Sequence, residues 1–272
     1  MRKDLGPDVL FNTIMMMRMR SCRTVLLAES SVDAAFYQRF VSGKDCFLGD
    51  AVGRLGVLNM LDRLSACSVP ACGGIIDADA DYALGRPKPH QNAYRTHKTD
   101  KETTIVDSPA FVAFCATLNV SMSAENLRGI LYAAALPLGA IRRQGTREGF
   151  ALDFKQIVYS NFIHAGPACD INQCCAEVKA RNPHVDISLE SLIDFVQDTR
   201  LREVPKSHIV QGHDLTAILS LQSCSLFGRH FSQAALETEL SNSYTLAHFL
   251  DTTTYGELSR WEGTIAPRFR VF

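Results

Sequence analysis

The chain has 272 residues, 46% of them hydrophobic and 21% charged, with 28 Lys and Arg against 29 Asp and Glu for a formal net charge of −1. That is ample material for a packed core, and it excludes a globally disordered chain. The near-neutral balance excludes a protein that coats nucleic acid by bulk charge, while leaving room for a local basic surface beside an acidic site.

The N-terminus opens with Arg2 and Lys3 before a partly apolar run from Val9 to Met17. Asp4 and Asp8 interrupt it, and Arg18 and Arg20 follow without a small-residue cleavage site, so an amphipathic helix over 7–20 is expected rather than a secretion signal. Thr24 to Ala28 is a short apolar run of the kind that forms a buried parallel strand. Glu29-Ser30-Ser31 breaks it, and Val32 to Val41 reads as a helix with Ser30 or Ser31 as its N-cap. A second strand is expected over Cys46–Leu48. A helix over Leu55–Leu64 should follow, with Leu55, Leu58, Leu61 and Leu64 on one face. Gly73 to Ile76 reads as a third strand that ends at Asp77-Ala78-Asp79-Ala80-Asp81. After a Pro/Gly-rich loop, Asn92–His97 is a fourth strand and Thr103–Leu118 a helix. This alternation predicts an α/β fold, a Rossmann-like parallel sheet with helices on both faces.

Beyond residue 120 the pattern is mostly helical, over Ala124–Ala140, Phe154–Phe162, Ile171–Ala180, Leu189–Leu201, Asp214–Leu221 and Ser243–Trp261. Arg142, Arg143 and Arg147 read as a basic helix end. The expected organisation is a catalytic domain over 1–120 and a helical region over 121–272 for assembly or partner binding. No run of about 18 apolar residues occurs, so no membrane span is expected. The nine cysteines are odd in number and lack zinc-finger spacing, which fits reduced thiols in a cytoplasmic protein.

In an open parallel sheet, ligands sit beyond the carboxyl ends of the strands. Glu29 ends the first predicted strand; Asp77 and Asp79 end the third. Taken singly, these residues read as helix caps and a solvated turn. Taken together they form a carboxylate cluster, which repels itself unless a cation neutralises it. Hard oxygen ligands suit Mg²⁺ or Mn²⁺, the ions that support in-line phosphoryl displacement. The stretch from Arg86 to Lys101 adds Arg86, Lys88, Arg95 and Lys98 as candidate phosphate contacts, with Tyr94 able to stack on a base. It reads equally as a solvated loop. His213 is a candidate for proton transfer or a structural histidine near a helix start. No Gly-x4-Gly-Lys-Ser/Thr is present, so any ATP dependence would need a partner.

The segment VLLAESSVDAAFY resembles the first TOPRIM motif, a strand that delivers Glu followed by a small residue and an Asp entering a helix. GGIIDADAD resembles the second, Asp-x-Asp motif. The likeness extends to the OLD-like TOPRIM nucleases, and within them to the AriB-like effectors of PARIS anti-phage defence. There Thr99-Asp100-Lys101-Glu102-Thr103 resembles a third acidic segment and Gly212-His213-Asp214-Leu215 the opening of a C-terminal helix. Ser30 departs from the usual Gly after the Glu.

The resemblance implies a Mg²⁺-dependent endonuclease acting as a toxic effector. Its substrate would be tRNA or other RNA ahead of DNA, and an ATPase partner (AriA-like) would control it, with a homodimer as a further assembly. Glu29 would be base or ligand, Asp77 and Asp79 ligands, and Glu102 or Asp100 an extra ligand. The competing expectations are a catalytically inactive TOPRIM-like scaffold for an ATPase and an OLD-like DNA nuclease.

Overall fold

The computed structural model describes residues 6–164 and 168–272. In chain order these form α1 (Pro7–Arg18), β1 (Thr24–Ala28), α2 (Ser31–Tyr37), β2 (Cys46–Asp50), α3 (Arg54–Ala66), β3 (Cys72–Ile76) and β4 (Ala93–Arg95). The helices α4 (Lys101–Val106), α5 (Ala110–Thr117), α6 (Ala124–Glu148), α7 (Ile171–Arg181), α8 (Leu189–Gln197) and α9 (Gly212–Leu221) follow. The described chain closes with α10 (Ser223–Phe227), α11 (Gln233–Ser243), α12 (Leu246–Leu250) and α13 (Thr253–Glu262). They make two compact units. One comprises the described residues up to Asp77 with Pro87–His97 and Thr245–Phe272; the other comprises Ala78–Arg86 and Lys98–Tyr244.

The first unit is the α/β layer. Its four strands are all parallel, in the order β2-β1-β3-β4. Every residue of β1 and β3 is buried, as expected of parallel strands covered on both faces. Leu10 and Ile14 of α1 pack with Val57, Met60, Leu61 and Leu64 of α3 against Val25, Leu27 and Ile76. The two glycines of β3 show how closely both faces are covered. A Cβ on Gly74 would lie 2.4 Å from Val57 Cγ1, and one on Gly73 would lie 3.0 Å from the Trp261 ring of α13. Only a residue without a side chain lets α3 approach this closely.

The second unit is helical. The 25-residue α6 starts on a Ser123 cap and ends at Gly149, whose φ of +81° suits a left-handed C-cap. It packs against α8 and α9, and α9 in turn packs against α11.

Several local expectations need correction. The helix expected over Thr103–Leu118 is two, because Pro109 has no N–H and disfavours helical backbone at Ser108. Phe154–Phe162 holds only a 3₁₀ turn at Tyr159–Asn161, since Gln156 has a φ of +59°, outside any right-handed helix. Ser243–Trp261 is also two helices; Thr252 accepts the Tyr255 N–H and so starts α13 afresh. Leu55 lies 74% exposed, because α3 turns Val57 and Met60 toward the sheet instead. Helix α6 runs eight residues past Ala140. Its final turns bury polar side chains that have partners, so helix outlasts apolar periodicity.

Candidate functional site

Where a parallel sheet changes the direction in which strands are added, the loops diverge and leave a crevice at the carboxyl ends. In the order β2-β1-β3-β4 that point lies between β1 and β3. Glu29 follows the last residue of β1, and Asp77 follows the last residue of β3. Glu29 Oε1 accepts the Asp77 N–H at 2.8 Å, so the glutamate reaches across the switch point. Arg54 Nη1 donates to the Asp77 carbonyl at 3.2 Å, and the Gly53 N–H donates to the Glu29 carbonyl at 2.6 Å. A third carboxylate shares this edge: Asp50 ends β2 and its Oδ1 accepts the Val52 N–H at 2.9 Å. Asp50 and Arg54 were missed in the sequence, although Leu-Gly-Asp repeats the apolar-strand-then-acid pattern that marks Glu29.

Asp79, Asp100 and Glu102 belong to the second unit. The chain turns at Asp79, whose φ of +48° is a left-handed conformation that aspartate tolerates. Its N–H donates to the Thr99 carbonyl at 2.8 Å, and its Oδ1 accepts Gln211 Nε2 at 3.2 Å.

Asp100 is the N-cap of α4. Its Oδ1 accepts the Thr103 N–H and hydroxyl, both at 2.8 Å, and its Oδ2 accepts the Gly212 N–H at 2.7 Å. Burial, and then the neighbouring Glu102, push its carboxyl up to about 7 against the pull of those donors. Glu102 is buried and pairs with Lys101 at 2.7 Å. Gly212 is fixed by this packing, since a Cβ there would lie 2.2 Å from Glu102 Cβ.

The basic stretch is largely engaged within the protein. Lys88 pairs with Glu257 at 2.6 Å and lies over the Tyr94 ring, and Lys98 pairs with Asp107 at 3.0 Å. Arg86 is exposed and donates to the Thr146 carbonyl, whereas Arg95 is buried. Tyr94, read from sequence as a base-stacking ring, is 4% exposed and packs against Trp261, so its face is already covered.

A further polar group surrounds the start of α9. Arg142 Nη1 donates to Asp214 Oδ2 at 2.7 Å, and the Tyr159 hydroxyl donates to Asp214 Oδ1 at 2.8 Å. His213 lies 3.4 Å from Glu237, whose hydrogen bond raises the imidazole pKa.

Glu29, Asp50 and Asp77 supply hard oxygens, the right chemistry for Mg²⁺ or Mn²⁺. Their spacing does not match it: among the described residues no three His, Cys, Asp or Glu side chains gather as a metal-holding group. Asp100 spends both carboxylate oxygens on protein donors. No helix among the described residues is long and apolar enough to cross a membrane. The nine cysteines are free thiols. The chain matches no family model and no curated protein. The TOPRIM likeness therefore stands on the motifs alone.

Proposed function

We infer that the chain is a phosphodiesterase of the TOPRIM nuclease type, hydrolysing nucleic acid at the carboxyl edge of its parallel sheet. One observation carries this reading: two carboxylate residues, Glu29 and Asp77, follow the two strands that flank the switch point, and the Glu29 side chain is fixed there by the Asp77 N–H. A chain built only for packing has no need of acids at that crevice. The motif resemblance supplies the finer assignments. These are Mg²⁺ or Mn²⁺ as cofactor, RNA ahead of DNA as substrate, Asp79 as an added carboxylate, a cytoplasmic setting, and restraint by an ATPase partner in phage defence.

Glu29→Ala and Asp77→Ala are each expected to lower metal-dependent cleavage of single-stranded RNA or DNA by at least a hundredfold while leaving the circular dichroism spectrum unchanged. Wild-type cleavage rates in both variants would overturn the assignment.

The second reading is an inactive scaffold that binds an ATPase, and the protein donors already held by both carboxylate oxygens of Asp100 favour it. Titration calorimetry separates the two. Under the nuclease reading Mg²⁺ or Mn²⁺ binds wild-type protein, and binding is lost in Asp77→Ala. A scaffold shows no such heat.

A further inference from the structure

The second unit contains a cavity that strand-edge chemistry leaves unused. Its volume is about 550 Å³, and it opens among the end of α6, the 153–159 segment and the start of α9. That size lies within the range of small-molecule sites, roughly 300–1,000 Å³.

The lining narrows the occupant by chemistry. A bare cation is disfavoured, because both oxygens of Asp214 are already held by Arg142 and Tyr159. A polyphosphate is disfavoured too, because Asp214 neutralises Arg142 and Asp153 flanks Lys155 in the same lining. A purely apolar ligand would take the exposed Gln156 amide and Lys155 ammonium out of water without replacing their hydrogen bonds.

What remains is a flat ligand with its own hydrogen-bonding edge and a single phosphate. The exposed Gln156 amide presents the paired donor and acceptor that reads a base edge, whereas the Gln211 and Gln233 nitrogens already donate within the protein. The Arg142 guanidinium lies over the Phe154 ring at 4.2 Å, a flat platform of the kind on which unstacked bases settle. Lys155, exposed in this lining, supplies charge for one phosphate, whereas His213 is held by Glu237. Gln211 lines the cavity and also donates to Asp79 Oδ1, which joins the cavity to Asp79 within the same unit.

We propose that this cavity binds one nucleotide unit, a nucleobase with a single phosphate, as a residue of a single strand or as a free mononucleotide. As a strand subsite it rests on the nuclease reading above, and it would hold the substrate beside Asp79.

The test is binding without metal, in EDTA, so that it does not depend on cleavage. Two ligands are compared: the 5′-monophosphates of the four ribonucleosides by calorimetry, and a labelled single-stranded RNA decamer by anisotropy. Lys155→Ala and Gln156→Gly suit the purpose, because both residues are exposed and glycine favours the positive φ at 156. Each is expected to weaken binding by about tenfold, the size of one lost charge-assisted hydrogen bond, with an unchanged melting temperature. Weakening confined to the decamer assigns the cavity to the strand; weakening with monophosphates assigns it to a free nucleotide. If neither ligand binds wild-type protein, or both variants bind as wild type does, the proposal is overturned. A wild-type protein that binds nucleotide and never cleaves would remove only the nuclease reading.

Discussion

Val52 holds a backbone torsion that its own side chain opposes. Its φ is +59°, a left-handed conformation in which a β-branched residue is a genuine outlier, and its side chain is 56% exposed. It sits between Asp50 and Arg54, at the strand edge that carries the candidate chemistry. The Asp50 carboxylate holds the Val52 N–H. Strain of this kind persists only where surrounding contacts impose it, and it clusters at functional sites. Val52→Gly should therefore stabilise the fold by about 1 kcal/mol in chemical denaturation, while loosening the loop that orders Arg54 and, on the nuclease reading, lowering cleavage. A variant that is less stable than wild type would show that the valine side chain contributes packing instead. The sequence revealed Glu29 and Asp77 because each ends an apolar run. It gave no sign of Gln211, since nothing along the chain links residue 211 to residue 79.

Helices α4 and α9 are joined end to end by one carboxylate. Asp100 caps the first and accepts the leading N–H of the second, so two helix starts share one buried acceptor. The first links of this arrangement were legible, because Asp100 followed by Thr103 is a local capping pattern. The partner Gly212 was not, for its role is set by close approach to Glu102 rather than by its neighbours in sequence. Strands β1 and β3 could be read because continuous apolar runs mark buried parallel strands. The end of α6 could not, because the half-buried Arg142 and the buried Arg143 and Gln144 are held by partners distant in sequence.

The pH behaviour follows from Asp100. Its carboxyl rises on folding to about 7 through burial and Glu102. Such a group contributes stability in full below the ordinary aspartate pKa, and that contribution is lost as pH climbs through about 7. Asp100→Asn keeps an acceptor and removes the buried charge. It should flatten stability against pH between the ordinary aspartate range and about 7, measured by urea denaturation at stepped pH. An unchanged slope would show that Asp100 is not the group responsible.

The two compact units are each assembled from separated stretches of chain, an arrangement that no reading of pattern along the sequence can express. The sheet unit takes its last helices from beyond residue 244. Trp261 of α13 packs on Gly73 and Tyr94, and the Ser42 N–H donates to the Val271 carbonyl at 2.8 Å. A fragment ending near residue 120 lacks these and leaves that face of β3 and β4 bare. It should therefore aggregate or remain molten, with loss of near-ultraviolet dichroism and binding of a hydrophobic dye. A fragment that is soluble and sharply melting would show that α12 and α13 are dispensable.

The same return of the chain bears on the protein's birth at the ribosome. Strands β1 to β4 emerge early, yet the tryptophan that closes one face of their sheet is made only after the whole helical unit. At about 5–20 residues per second the sheet waits on the order of ten seconds or more for its cover. During that interval an unfinished parallel sheet offers open apolar surface to chaperones and to neighbouring nascent chains, and the carboxylates at its edge stand on an unfinished scaffold. On the nuclease reading proposed above, the protein would be synthesised silent, becoming competent only after Trp261 has been made.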